Sequence, residues 1–281
     1  MCIRDRKYSR GNKAVVFVID TAPEFKHEDL PTTGNRFGGT FTGETVDGHG
    51  HGHMCGSVIG AIDNALGVIG AAPDCLVVPV AGLTKEGNGF SDKLAAAIRH
   101  CADVDLKEYS DRIRIISMSW GGTGAIPPVE EALKYAVSKG CIPVAAAGNS
   151  YYQGQDNVNY PGKYDTLCIT VASISELWKP STFSSGGATV DVAAFGEHLT
   201  MCNHQGAYSR GSGTSFATPM VAGLLANVVS YHYSEFRSAG TKALPLAEAF
   251  LEKYAKDLEA AGKDATTGAG APVTRKVVLR H

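Results

Sequence analysis

A chain of 281 residues, 44% hydrophobic and 19% charged, is long enough to bury a sizeable core and too apolar for a disordered or fibrous class. Lys and Arg number 26 against 28 Asp and Glu, a formal charge of -2, so no net field draws nucleic acid or an anionic membrane. No apolar run nears the roughly 18 residues of a membrane-crossing helix, and the opening MCIRDRKYSRGNK lacks the apolar core of a signal peptide; either the protein stays inside or its leader is missing, and an abrupt start one short segment before a core strand fits the second.

The first apolar run, AVVFVID (residues 14–20), reads as a buried strand. Asp20 stands at its C-terminal end, where open α/β sheets gather ligand and catalytic groups; alone it reads equally as a turn residue. Next, DGHGHGHMCGSVIG (47–60) sets His49, His51 and His53 on alternate positions. These suit a zinc or copper cluster, a proton-transfer site with one working imidazole, or a Gly-rich loop. IDNALGVIGAAP (62–73) is a loop, and CLVVPVAGL (75–83) a second buried strand.

An amphipathic segment, FSDKLAAAIRHCADV (90–104), precedes the strand IRIISMSW (113–120). A second, PVEEALKYAVSKG (128–140), has Pro near its start and Gly after its end, as helices do. The strand CIPVAAAGN (141–149) ends at Asn149, a turn residue or an amide donor to an oxyanion. LCITVASI (167–174) and TVDVAAF (189–195) complete the strands. This alternation predicts an α/β fold with a mostly parallel central sheet and helices on both faces.

A Gly-rich turn at GSGTSFATP becomes a nearly all-apolar helix starting at Thr214 or Ser215 and running through FATPMVAGLLANVVSYH, with Pro219 tolerable only in its first turn. Ser215 reads as a helix cap or as a nucleophile at a positive helix end. LPLAEAFLEKYAKDLEAAG (244–262) reads as an amphipathic helix and DATTGAGAP (264–272) as a loop. The seven cysteines show no CxxC spacing and read mostly as buried thiols.

Taken together, Asp20, the His-Gly segment, AAAGN and GTSFATP resemble the subtilase family of serine proteases, whose triad follows the order Asp, His, Ser. The resemblance spans roughly residues 14–232 and has features of both the bacterial subtilisin and the proteinase K branches. VFVIDTA is similar to the family's V-x-V-I-D-S/T-G, with Ala22 for the usual Gly. GHGHMCGSVIG is similar to G-H-G-T-H-V-A-G-x-I-G and places the family's histidine at His51, with His53 for Thr, Met54 for His and Ser57 for Gly. The nucleophile motif G-T-S-x-A-S/T-P-x-V-A-G is matched from Gly213 to Gly223, and YPGKYD (160–165) is similar to the segment that closes the specificity pocket.

The resemblance implies a three-layer subtilisin-like fold in one peptidase domain, with a catalytic core over about 14–232 and a C-terminal helix and tail over 233–281. It implies a serine endopeptidase of broad specificity acting through an acyl-enzyme. In that reading Ser215 is the nucleophile, His51 the base, Asp20 its orienting partner and Asn149 an oxyanion donor. Substrate would lie between Gly87, Asn88, Gly89 and Ser119, Trp120, Gly121, with Ala146, Gly148 and Asn159 around an uncharged pocket for an apolar or aromatic side chain. A structural Ca²⁺ would be held by Asp29, Asn64 and the carbonyls of Ile62, Leu66 and Val68; no organic cofactor is implied. Cys55 would lie beneath His51. Partners would be protein or peptide substrates, with no nucleic acid or membrane, for a monomer that is secreted, vacuolar or otherwise extracytoplasmic. The departures at Ala22, His53 and Met54 leave two alternatives, a peptide-binding relative with impaired catalysis and a His-cluster metal protein.

Overall fold

The computed structural model describes residues 9–273, so Cys2 lies outside it. In chain order the elements are β1 (Ala14–Asp20), β2 (Gly39–Thr40), α1 (His51–Gly60), β3 (Leu76–Ala81), α2 (Ser91–Asp103), β4 (Ile113–Met118), α3 (Pro127–Ser138), β5 (Ile142–Ala146), β6 (Ile169–Ile174), β7 (Val192–Phe195), β8 (Leu199–Cys202), β9 (Tyr208–Gly211), α4 (Thr214–Tyr231), α5 (Tyr233–Ala239), α6 (Ala243–Tyr254), β10 (Ala255–Lys256) and β11 (Ala271–Pro272). Seven strands form one sheet in the order β2-β3-β1-β4-β5-β6-β7, and every pairing within it is parallel.

β1 shows why the layers form. Its seven residues are all buried: Ala14, Val16 and Val18 face the layer of α1, α4 and α6, while Val15, Phe17 and Ile19 face α2 and α3. Side chains alternate across a strand, so a strand covered on both faces reads as one unbroken apolar run. The register then sets Asp20 opposite Ala81 and Ile19 opposite Met118. The C-terminal ends of β1, β3 and β4 are therefore level, and polar residues that follow them collect at one edge of the sheet.

Two expectations are corrected. The helix expected over 244–262 ends at Tyr254, because Ala255 and Lys256 turn to pair with Pro272 and Ala271, and within 255–262 only Leu258 packs against a hydrophobic cluster, one separate from that of the helix. Pro219 lies in the second turn of α4, not its first. The missing N–H at Pro219 leaves the carbonyl of Ser215 without a helical partner, and the Cys55 thiol donates to that oxygen instead, at 3.4 Å.

Candidate active site

Asp20 is fully buried at the end of β1, and His51 is the first residue of α1. The imidazole donates from Nδ1 to Asp20 Oδ1 at 2.8 Å, with Oδ2 at 3.0 Å, and Oδ1 also accepts the Thr21 N–H at 2.8 Å. Burial alone would lower the His51 pKa, but the Asp20 charge outweighs it and raises it well above the ordinary value. Close approach of α1 to β1 depends on Gly52, where a Cβ would meet the Ala22 N and Cβ at 2.6 and 2.7 Å. Ala22 itself is buried, its methyl against the bare face of Gly52.

Ser215 occupies the first turn of α4. Its neighbour Phe216 packs on the His51 ring, centroids 5.4 Å apart, and Cys55 Sγ lies 3.7 Å from His51 Nδ1. Burial pushes the Cys55 thiol up, so it stays a neutral S–H. Among the described residues Ser215 Oγ makes no hydrogen bond to His51; such contacts are commonly long before substrate binds. Asn149 Oδ1 accepts both the N–H and the hydroxyl of Thr214 at 3.0 Å. That fixes the amide's orientation and leaves its N–H₂ end for the cleft. In the sequence Thr214 stands out only as a helix start and a motif position; its work of aiming the Asn149 side chain, 65 positions away, has no local mark.

Ser119, Trp120, Gly121, Ala146, Gly148, Asn149, Asn159 and Ser215 line one cavity of about 300 Å³. Its lining carries no charged side chain. Gly148 (φ +112°) and Gly121 crowd Asn159: a Cβ would come within 2.8 Å of its Nδ2 at the first and 2.9 Å of its Cβ at the second. The Trp120 indole donates to the Ile19 carbonyl at 3.0 Å, anchoring one wall to β1. Gly122 and Tyr160 exchange backbone hydrogen bonds of 2.9 and 2.8 Å, which brings the 160–165 segment against it. Gly87, Asn88 and Gly89 are exposed beyond a bridge from Leu83 to Gly89, and a Cβ at Gly87 would lie 3.3 Å from His49 Nε2.

The three histidines do not converge. His51 turns to Asp20, while His53 Nδ1 meets Asp47 Oδ2 at 2.7 Å and His49 is exposed. Among the described residues the one cluster of ligand atoms within metal reach is Asp20, His51 and Cys55. A different site suits a hard cation. Asp29 is fully buried; its Oδ2 accepts from Val68 N–H at 2.9 Å and Tyr208 O–H at 3.3 Å, and its Oδ1 has no hydrogen-bond partner. Ile62 N–H donates to the Asp29 carbonyl at 2.9 Å, and Asn64 Oδ1 accepts Leu66 N–H at 2.9 Å, so the 62–68 loop is folded around that carboxylate.

All six described cysteines are buried and free, and no helix among the described residues is long and apolar enough to cross a membrane. Comparison with known proteins gives a consistent answer. The Subtilase family model matches residues 11–270, extending the likeness past position 232 into the C-terminal segment. The chain is 35% identical to Thermitase from Thermoactinomyces vulgaris over 224 residues, 77% of this chain and 75% of that one. It is 33% identical to Subtilisin DY from Bacillus licheniformis over 225 residues, 79% of this chain and 78% of that one. The solved structure of Sphericase superposes with a TM-score of 0.80 at 30% identity, covering 94% of this chain and 92% of the other.

Proposed function

The chain belongs to the subtilase family and is a subtilisin-like serine protease, and from that premise we propose that Ser215, His51 and Asp20 hydrolyse internal peptide bonds of protein substrates through an acyl-enzyme. The observation that carries this reading is the Asp20–His51 hydrogen bond of 2.8 Å beside a cavity lined by both Ser215 and Asn149. A serine hydroxyl is a weak nucleophile near neutrality, so His51 takes its proton and later returns it to the leaving amine. Asp20 keeps the proton of the neutral imidazole on Nδ1 and stabilises the imidazolium. The Asn149 amide and the Ser215 N–H, at the positive end of α4, donate to the tetrahedral oxyanion.

Substrate is proposed to lie extended between Gly87–Gly89 and Ser119–Gly121, adding main-chain hydrogen bonds to both edges. The uncharged cavity beneath then selects an apolar or aromatic side chain. We further propose that the protein works as a monomeric single peptidase domain outside the cytoplasm; light scattering and cell fractionation are the measurements that test this. Ca²⁺ is proposed at Asp29, Asn64 and the carbonyls of Ile62, Leu66 and Val68, where it supplies structural stability and takes no part in bond cleavage. Added Ca²⁺ should raise the Tm of the wild type and leave that of Asp29→Asn unchanged.

The test is covalent labelling. A fluorophosphonate should modify Ser215, with casein cleavage and labelling both lost in Ser215→Ala. Labelling that survives in His51→Ala but disappears in His49→Ala would overturn the assignment of the base.

A further inference from the structure

α1 carries a second Asp–His couple, and nothing in the proposed reaction uses it. Asp47 and His53 are buried, with 0% and 3% of their side chains exposed. Asp47 Oδ2 meets His53 Nδ1 at 2.7 Å, and His53 Nε2 lies 3.1 Å from the Lys26 N–H. A backbone amide can only donate, so Nε2 holds the lone pair and Nδ1 the proton, which is donated to Asp47. His53 is thereby a neutral imidazole with both nitrogens occupied. Its ring also meets Phe25 edge to face, centroids 5.6 Å apart.

The other oxygen of Asp47 holds the start of the helix. Oδ1 accepts the N–H groups of His49 at 3.1 Å and Gly50 at 2.7 Å, immediately before His51. Thr21 ties the Asp20 couple to the same helix turn: its N–H donates to Asp20 Oδ1 at 2.8 Å, and its Oγ1 accepts Gly52 N–H at 3.0 Å.

We propose that Asp47 and His53 form a positioning couple that fixes the entry of α1 and thereby the bearing of the His51 imidazole on Asp20. His53 stands where the family usually has Thr, and a hydroxyl is too short to span from Asp47 to the Lys26 amide. The proposal rests on His51 being the base.

His53→Phe keeps a ring against Phe25 and removes both polar bonds. Expected on a chromogenic peptide is a fall in kcat of about 10- to 100-fold, the scale of an ångström-sized misplacement, with KM within about twofold. The low-field proton resonance of His51 Nδ1–H should broaden or move upfield, a change that lost stability alone does not cause. His53→Gln, which offers an N–H and a carbonyl from one side chain, should recover much of kcat and the resonance. Should His53→Phe not fold, Asp47→Asn serves, since it keeps an acceptor for Gly50 and removes the charge facing His53; the same fall in kcat is expected. A folded His53→Phe, or failing that a folded Asp47→Asn, with wild-type kcat and an unchanged His51 resonance overturns the proposal, as does a loss carried by KM alone. Activity retained in His51→Ala would instead overturn the reading on which it rests.

Discussion

Two Asp–His couples stand two residues apart on the same helix turn, and in bond length they are nearly alike. His51 lies 2.8 Å from its carboxylate and His53 lies 2.7 Å from its own. They differ at the opposite nitrogen. His53 Nε2 is occupied by a backbone amide, whereas His51, with 18% of its side chain exposed, has no protein hydrogen bond at Nε2 among the described residues. An imidazole acts as a base only with a lone pair that a reacting proton can reach. The same pair of residue types is therefore machinery in one place and framework in the other, and the free nitrogen makes the difference.

The sharpest way to break this comparison is to delete each imidazole. His51→Ala or Ser215→Ala should lower kcat about 10⁶-fold, the scale recorded for a member of this same family, against the far smaller loss expected at His53. Equal losses at the two histidines would abolish the distinction.

Next in size is Asp20→Asn, which should cost about 10⁴-fold in kcat by leaving the imidazole in the wrong tautomer. It also tests the electrostatics. Because Asp20 raises the His51 pKa and the base must be neutral to act, wild-type kcat/KM should fall as pH drops through a value above the ordinary histidine pKa of about 6.5. In Asp20→Asn that acid limb should move down. An acid limb at the same pH in both proteins would show that the Asp20 charge does not set it.

Asn149→Leu should lower kcat about 10²- to 10³-fold with little change in KM, a magnitude taken from the corresponding oxyanion donor of a subtilisin. It sharpens the contrast because Asn149, unlike His53, has one end tied down by Thr214 and the other left for the reaction.

Legibility in the sequence followed the range of the interactions. β1 and β6 were visible because burial on both faces writes a continuous apolar run. Asp20, Asn149 and Ser215 were visible because each breaks such a pattern at an element's end. The Asp47–His53 couple was not, since the role of His53 depends on the Lys26 amide 27 positions away, and a run of alternate histidines carries no mark of which partner each will find. The β8–β9 hairpin leaves no pattern in the sequence because its short strands are mostly exposed or half-buried, with neither a continuous apolar run nor a clean alternation. Nothing near Pro219 in the sequence shows that the second turn of α4 can hold it, because the compensating donor, Cys55, comes from another helix.

The smallest expected effect lies in stability, where the two couples should leave marks on opposite sides of neutrality. Burial would push Asp47 up, but His53, the Gly50 N–H and the Thr21 hydroxyl hold it well below the usual carboxylate range. A carboxyl depressed in this way contributes stability above its unfolded pKa of about 3.9 and gives it up as pH falls toward the folded value. Asp47→Asn should thus cost about 1–3 kcal/mol at neutral pH and flatten the loss of stability below about pH 4. His51 carries the opposite sign. Its raised pKa contributes stability below about pH 6.5 that disappears as pH rises through the folded value, so His51→Gln should flatten the alkaline side. Urea unfolding of the three proteins across pH separates these slopes. If Asp47→Asn runs parallel to wild type in acid, Asp47 is not the ionised partner its contacts require, and the two couples differ in charge as well as in access.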